Sequence, residues 1–297
     1  MKKPDWAYLK QTNPPDFGQA EMVTKPVLDK EVKKRADRCA KIINRSTDYC
    51  EIEKGLISIV ILSCKRIHSL TRLIGSLATF LKEIETYRNY ETILVDNGSG
   101  SELLDYARDT GFFTDIISFE KNLGLVGATR RVYPKVKGEY ILFLEDDFVA
   151  EYEKPFMLKC IKIFEEFPEI GIIRLKNQRN WGKAIRRIAP LRKANDGTEF
   201  WTWLPSKELL PFKTGKWNVW SAGSVIFRKV SYLSTGELPE CPNIVDKKGR
   251  RQGMVYEEIY SRKYNKNWLA AKIKDCYPFV QPNDEDISPG WSEGFKD

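Results

Sequence analysis

The feature that most constrains this chain is an alternation. Short β-branched apolar runs give way to segments with helical spacing, and the exchange repeats between residues 55 and 175. The first run, Leu56-Ile57-Ser58-Ile59-Val60-Ile61-Leu62, has the pattern of a strand buried on both faces. After it, Ile67, Leu70, Leu73, Ile74, Leu77 and Phe80 recur at the spacing of an amphipathic helix. Further strands are expected over 91–95, 115–119, 140–144 and 170–175. Helices are expected over 102–108, 126–136 and 155–167, the last opened by Pro155. Such spacing argues for an α/β chain with a mostly parallel sheet flanked by helices. The alternation fails from 178 to about 242, where Gly, Pro and Trp punctuate the chain. A strand is expected to return at 223–227, then a helix at 253–264 and a last strand at 269–273.

Outside this region, residues 1–54 read as a polar arm with a mixed-charge helix over 29–43, and 283–297 as an acidic tail. With 297 residues, 42% hydrophobic and 30% charged, the chain can bury a full core, which excludes disorder throughout. No uncharged apolar run approaches the ~18 residues of a membrane span, and no apolar stretch follows Lys2 and Lys3, so neither a span nor a signal peptide is expected. The six cysteines form no C-x-x-C pair, which argues against a zinc framework and for reduced thiols in a cytoplasm. A net charge of +8 favours anionic partners.

The polar residues are informative by position. The first four expected strands each end in a polar cluster: Ser63-Cys64-Lys65-Arg66, Asp96-Asn97-Gly98-Ser99, Lys121-Asn122-Leu123-Gly124 and Glu145-Asp146-Asp147. In an open parallel α/β sheet, ligands bind beyond the carboxyl ends of the strands, so four clusters there make one site. Three consecutive carboxylates repel one another, and a hard divalent cation offsets that repulsion while bridging to a diphosphate. The plain alternative is a solvated acidic turn. Asp96 can accept hydrogen bonds from a base or ribose, or close an Asx turn with Gly98. Lys65 and Arg66 suit phosphate or base, or merely an exposed turn. His68, the only histidine, reads as an incidental surface or capping group rather than a catalyst.

In this order and spacing, Ser58-Ile59-Val60-Ile61…Lys65-Arg66, Ile93-Leu94-Val95-Asp96-Asn97-Gly98-Ser99, Asn122-Leu123-Gly124 and Phe143-Leu144-Glu145-Asp146-Asp147 resemble the nucleotide-binding half of a family 2, GT-A-fold glycosyltransferase. The resemblance implies one catalytic GT-A domain over 55–282, with a nucleotide-binding half to about 150 and an acceptor-binding half beyond. It implies a UDP- or GDP-linked sugar donor, Mn²⁺ or Mg²⁺, and inversion at the anomeric carbon. By position, Asp96 would contact the nucleoside and Ser63, Lys65, Arg66, Asn122 and Gly124 the nucleotide. Asp146 and Asp147 would serve ribose and metal, with Asp147 the direct ligand and Glu145 beside it.

More thinly, Val219-Trp220-Ser221-Ala222-Gly223-Ser224 resembles the family's small-residue segment near the donor sugar, which gives Gly223 a place in the site. Tyr256-Glu257-Glu258-Ile259, with Trp268 further on, resembles the acid pair whose second member is the catalytic base, here Glu258. Three departures stand out. Glu145 replaces the usual aspartate, and Ala128-Thr129-Arg130 replaces Ala-Arg-Asn, so Arg130 takes the phosphate position. The histidine after the last strand is absent, leaving Gln281, Asp284, Glu285 or Asp286 to stand in.

Eight Lys and Arg residues fall between Arg174 and Lys193 with no acid among them. This block suits a phosphorylated or lipid-linked acceptor, a glycan, or a peripheral contact with an anionic membrane, and equally a solvated loop. Trp181, Trp201, Trp203, Trp217 and Trp220 lie in the same region and suit either sugar faces or a core. Two rivals compete with a glycosyltransferase. A sugar-1-phosphate nucleotidyltransferase wants a glycine-rich loop after the first strand, and Ser63-Cys64-Lys65-Arg66 is not one. A non-catalytic polyanion binder, nucleic acid included, leaves the carboxylate triplet unexplained.

Overall fold

The structure, a computed structural model, describes residues 25–46, 51–85, 89–151, 156–175, 191–203, 220, 223–239 and 255–282. The helices are α1 (Lys25–Asn44), α2 (Ile67–Glu85), α3 (Ser101–Asp109), α4 (Gly124–Val132), α5 (Met157–Glu166), α6 (Lys229–Thr235) and α7 (Val255–Tyr264). The strands are β1 (Glu53–Ser63), β2 (Tyr90–Asn97), β3 (Asp115–Phe119), β4 (Gly138–Glu145), β5 (Val149–Ala150), β6 (Ile170–Arg174), β7 (Leu191–Lys193), β8 (Glu199–Trp203), β9 (Val225–Arg228), β10 (Leu269–Ile273) and β11 (Phe279–Val280). Nine of them form one sheet in the order β3-β2-β1-β4-β9-β6-β10-β8-β7.

The sheet is mixed, mostly parallel on its first side. β3, β2, β1 and β4 run parallel, and β10 runs parallel to β6. β9 is antiparallel to both β4 and β6, and β8 and β7 add antiparallel pairings at the far edge. Successive residues of β1 explain its unbroken apolar run. Ile57, Ile59 and Ile61 pack with Leu70, Leu73 and Leu77 of α2, whereas Val60 and Leu62 enter a second core with Val126 and Val132 of α4. A strand covered on both faces cannot alternate with polar residues.

β5, β7, β8, β11 and α6 had no expected counterpart. β5 and β11 are two residues each and β7 is three, too short for a periodic signal, and Trp201 in β8 is buried in the second core. Within that core Trp220 meets Phe227, Tyr260 and Tyr264, so Trp201 and Trp220 are packing residues rather than sugar platforms. Trp181 and Trp217 lie outside the described residues.

α1 docks on the domain. The Arg38 guanidinium donates to the Lys266 carbonyl at 2.9 Å, Arg35 to that of Asn265, and the buried Cys39 thiol to that of Asn267 at 3.2 Å. Among the described residues, no helix is long and apolar enough to cross a membrane.

Candidate active site

Strand register sets the site. Ser63 at the end of β1 pairs with Asp96 of β2, Leu62 with Glu145 of β4, and Asp96 with Ser118 of β3. The chain steps outward from β1 to β2 and β3, then returns to the other side of β1 with β4. The reversal between β1 and β4 is the place where such sheets open a crevice. There the Asp146 amide donates to the Leu62 carbonyl at 3.1 Å, and Ser63 Oγ donates to Asp146 Oδ2 at 2.7 Å. Arg66 Nε donates to Asp146 Oδ2 at 3.2 Å, its guanidinium pairs with Oδ1, and it stands 3.8 Å from Asp147 Oδ2. Arg66 is therefore held at the two carboxylates, while Lys65 is exposed and contributes its backbone N–H to Ser99 Oγ at 2.8 Å.

The other two clusters join this one. Asp96 is fully buried; Oδ1 accepts from the Ser99 amide at 3.0 Å and Oδ2 from Ser118 Oγ at 2.9 Å. Its carboxylate thus closes the Asp96–Ser99 turn, the local role weighed for it above. Gly98 sits in that turn at φ +82°, where a Cβ would lie 2.5 Å from the Lys121 carbonyl carbon, so only glycine fits. Asn97 Nδ2 donates to Asn122 Oδ1 at 2.8 Å, and Asn97 Oδ1 accepts from the Leu123 amide at 2.8 Å. Asn122 Oδ1 also accepts from the Gly124 amide, fixing the start of α4. Asn97 and Ser99 stand in the Asp96-Asn97-Gly98-Ser99 cluster, whereas Ser118, inside β3, carries no local signal in the sequence.

A carboxylate oxygen lacking a hydrogen-bond partner tests whether a cation fits. Asp147 Oδ2 accepts from Gln281 Nε2 at 2.5 Å, while Asp147 Oδ1 is buried with no hydrogen-bond partner. The β5–β11 pairing, with Glu151 N bonded to the Pro278 carbonyl, brings Gln281 there. Among the described residues, no three His, Cys, Asp or Glu side chains gather as a closed metal cage. A site shared with a diphosphate needs only one or two protein carboxylates, so Asp147, with the Gln281 amide beside it, fits a hard cation. Burial, then Tyr232 and last Glu145, raise the Tyr133 phenol of the second core, so Glu145 acts toward that core while Asp146 and Asp147 share Arg66. Asp284, Glu285 and Asp286 lie outside the described residues.

The sequence profile described as glycosyl transferase family 2 matches residues 58–232, more than half of the chain. The chain belongs to glycosyl transferase family 2. Its fold is similar to that of Staphylococcus aureus TarS 1–349 in complex with UDP-GlcNAc, at TM-score 0.53 and 15% identity, covering 80% of this chain and 60% of that one. TarS 1–349 in complex with UDP gives TM-score 0.50 and 14% identity over 75% and 59%. A mannosyltransferase, PcManGT from Pyrobaculum calidifontis, in complex with GDP-Man and Mn²⁺, gives TM-score 0.53 and 10% identity over 88% and 67%. The chain spans about three fifths of the TarS fragment's length. Among curated proteins, no sequence matches it.

Burial gives this family 2 glycosyltransferase a carboxyl out of its ordinary range. Asp146 is pushed from 3.8 up to about 6 by burial, against the opposing pull of Arg66 and the Ser63 hydroxyl. A raised carboxyl binds its proton more tightly in the folded than in the unfolded state, so its contribution to stability is full below 3.8 and lost as pH rises through about 6. A shift of two units corresponds to about 3 kcal/mol. In chelator, Asp146→Asn is therefore expected to gain on wild type by about that amount between pH 4 and pH 7. Denaturant unfolding at both pH values checks it; a difference independent of pH contradicts the burial of an ionised carboxylate.

Arg174, at the end of β6, is buried and held below its ordinary value by that burial, with Glu257 of α7 acting in the opposite sense. Glu257 is itself buried, and Glu258 is the next residue of the helix. Gly223 and Ser224 lead into β9 beside them, where the Leu175 amide donates to the Ser224 carbonyl at 3.0 Å. Arg130 pairs with Glu237, so a phosphate role would require exchanging that partner. The basic residues between 176 and 190 lie outside the described residues.

Proposed function

We propose that the enzyme transfers a sugar from a nucleoside diphosphate sugar to an acceptor hydroxyl with inversion, using Mn²⁺ or Mg²⁺. The observation that carries this reading is the joining of four strand-end clusters around buried Asp146, with the unpartnered Oδ1 of Asp147 alongside. A donor of the UDP or GDP class is supported by the ligands of TarS and PcManGT. In this reading Asp96 and the turn that it closes receive the nucleoside. Asp146, held by Ser63 and Arg66, faces the ribose, and Asp147, oriented by the Gln281 amide, would hold the cation. Asn122 and Gly124 shape the floor beneath the nucleotide, and Arg130 reaches the phosphates only by leaving Glu237.

When bound, the divalent cation supplies positive charge to the departing diphosphate. Glu258 takes the proton of the acceptor hydroxyl as it attacks the anomeric carbon from the face opposite the leaving group. Glu257 holds the charge of Arg174, and Gly223 leaves space beside the sugar. The acceptor is a glycan or a phosphorylated sugar, met by the basic block between Arg174 and Lys193, in a cytoplasmic setting. Incubation with UDP- and GDP-sugars, followed by NMR of the product, tests the reaction. Nucleoside diphosphate release with an anomeric configuration opposite to the donor's supports it; retention of configuration overturns the single-displacement mechanism.

A further inference from the structure

On α1, Cys39 is buried and Val32, Ile42 and Ile43 are half-buried, all four packing against the domain. At about 100° per residue, Lys30, Lys34 and Lys41 fall within about 40° of one another, on the side of the helix opposite Cys39. Lys33, Asp37 and Arg38 flank them. All six are exposed, with Asp37 the one acid among them and exposed Asp29 beyond Lys33 at the ridge's edge. Lys30, Lys33, Lys34 and Lys41 enter no ion pair with any described residue. The result is a straight basic ridge about 17 Å long from Lys30 to Lys41.

We propose that this ridge docks the enzyme on an anionic lipid surface. Charge complementarity picks the partner. Lysine ammonium groups act as point charges toward headgroup phosphates, and a polybasic helix face gains affinity with each lysine held near such a surface. The ridge carries no aromatic side chain of the kind that stacks unpaired bases. The apolar residues of α1 are committed to the domain, so adsorption is electrostatic, without insertion, and salt releases it. α1 is tied to Asn265–Asn267, just before β10, which starts level with the start of β6. That is the sheet end opposite the crevice, so docking leaves the donor site open.

The test uses the full chain and sedimentation with phosphatidylcholine vesicles, with and without phosphatidylglycerol. Wild type is expected to bind only the anionic vesicles, at low salt. The Lys30→Gln/Lys33→Gln/Lys34→Gln/Lys41→Gln variant should lose about tenfold or more in vesicle affinity, with its melting temperature and its rate of donor hydrolysis unchanged. The Lys30→Gln/Lys34→Gln pair should show an intermediate loss, which keeps the test alive if the fourfold variant folds poorly. Equal binding by wild type and variants overturns the proposal. So does loss confined to Arg186→Gln/Arg187→Gln, which moves the contact to the acceptor region. Retention on duplex DNA that outcompetes the vesicles and vanishes in the fourfold variant assigns the ridge to nucleic acid instead.

Discussion

Glu258→Gln is expected to lower turnover by about 10²–10⁴-fold while leaving nucleotide binding near wild type. The substitution keeps the shape of the side chain and removes the site that accepts the acceptor's proton. Its neighbour serves as the control. Glu257 is buried and offsets the charge of buried Arg174, so Glu257→Gln leaves that guanidinium less compensated. Removing one partner of a buried pair costs about 3 kcal/mol or more, and the loss should appear as a lower melting temperature with a milder effect on turnover. Paired measurements of kcat and thermal stability separate the two roles. If Glu257→Gln is the inactive variant and retains its stability, the base moves to Glu257. Full activity in both removes α7 from the chemistry.

Asp147→Asn is expected to weaken Mn²⁺-dependent nucleotide binding by about a hundredfold. Residues that only support a metal ligand are worth about 10–100-fold in affinity, so the ligand itself belongs at the upper end of that range. Stability in chelator should not change, because the Asp147 side chain is a quarter exposed and Gln281 is its principal hydrogen-bond partner. Titration of nucleoside diphosphate with and without Mn²⁺ checks the assignment. Equal metal dependence in variant and wild type contradicts it.

Much of the donor half was legible because its signals are local. The apolar run of β1 and the carboxylates after β4 needed only strand pairing to bring Ser63, Arg66 and Asp146 together, and parallel register supplies it. The region around Arg174 depends on long-range partners. Arg174 and Glu257 stand on β6 and α7, far apart in sequence, and nothing in either neighbourhood marks the other. Gln281 reaches Asp147 only through the two-residue pairing of β5 with β11, which leaves no periodic trace. Asp96 shows a different limit. Its sequence position fits a nucleoside contact and a turn equally; the bonds to Ser99 and Ser118 show the turn, and the nucleoside contact belongs to the proposed function. Trp201 and Trp220 resolve toward the core, where large aromatic rings bury the most surface.

The claim that this family 2 glycosyltransferase takes a nucleoside diphosphate sugar is tested most directly by thermal unfolding across UDP, GDP and their sugars, with and without Mn²⁺. One nucleotide series is expected to stabilise the native state by ~2.7 kcal/mol at a hundredfold excess over Kd, only when the cation is present. A folded protein whose unfolding no nucleoside diphosphate or nucleotide sugar shifts, in Mn²⁺ or Mg²⁺, would contradict it.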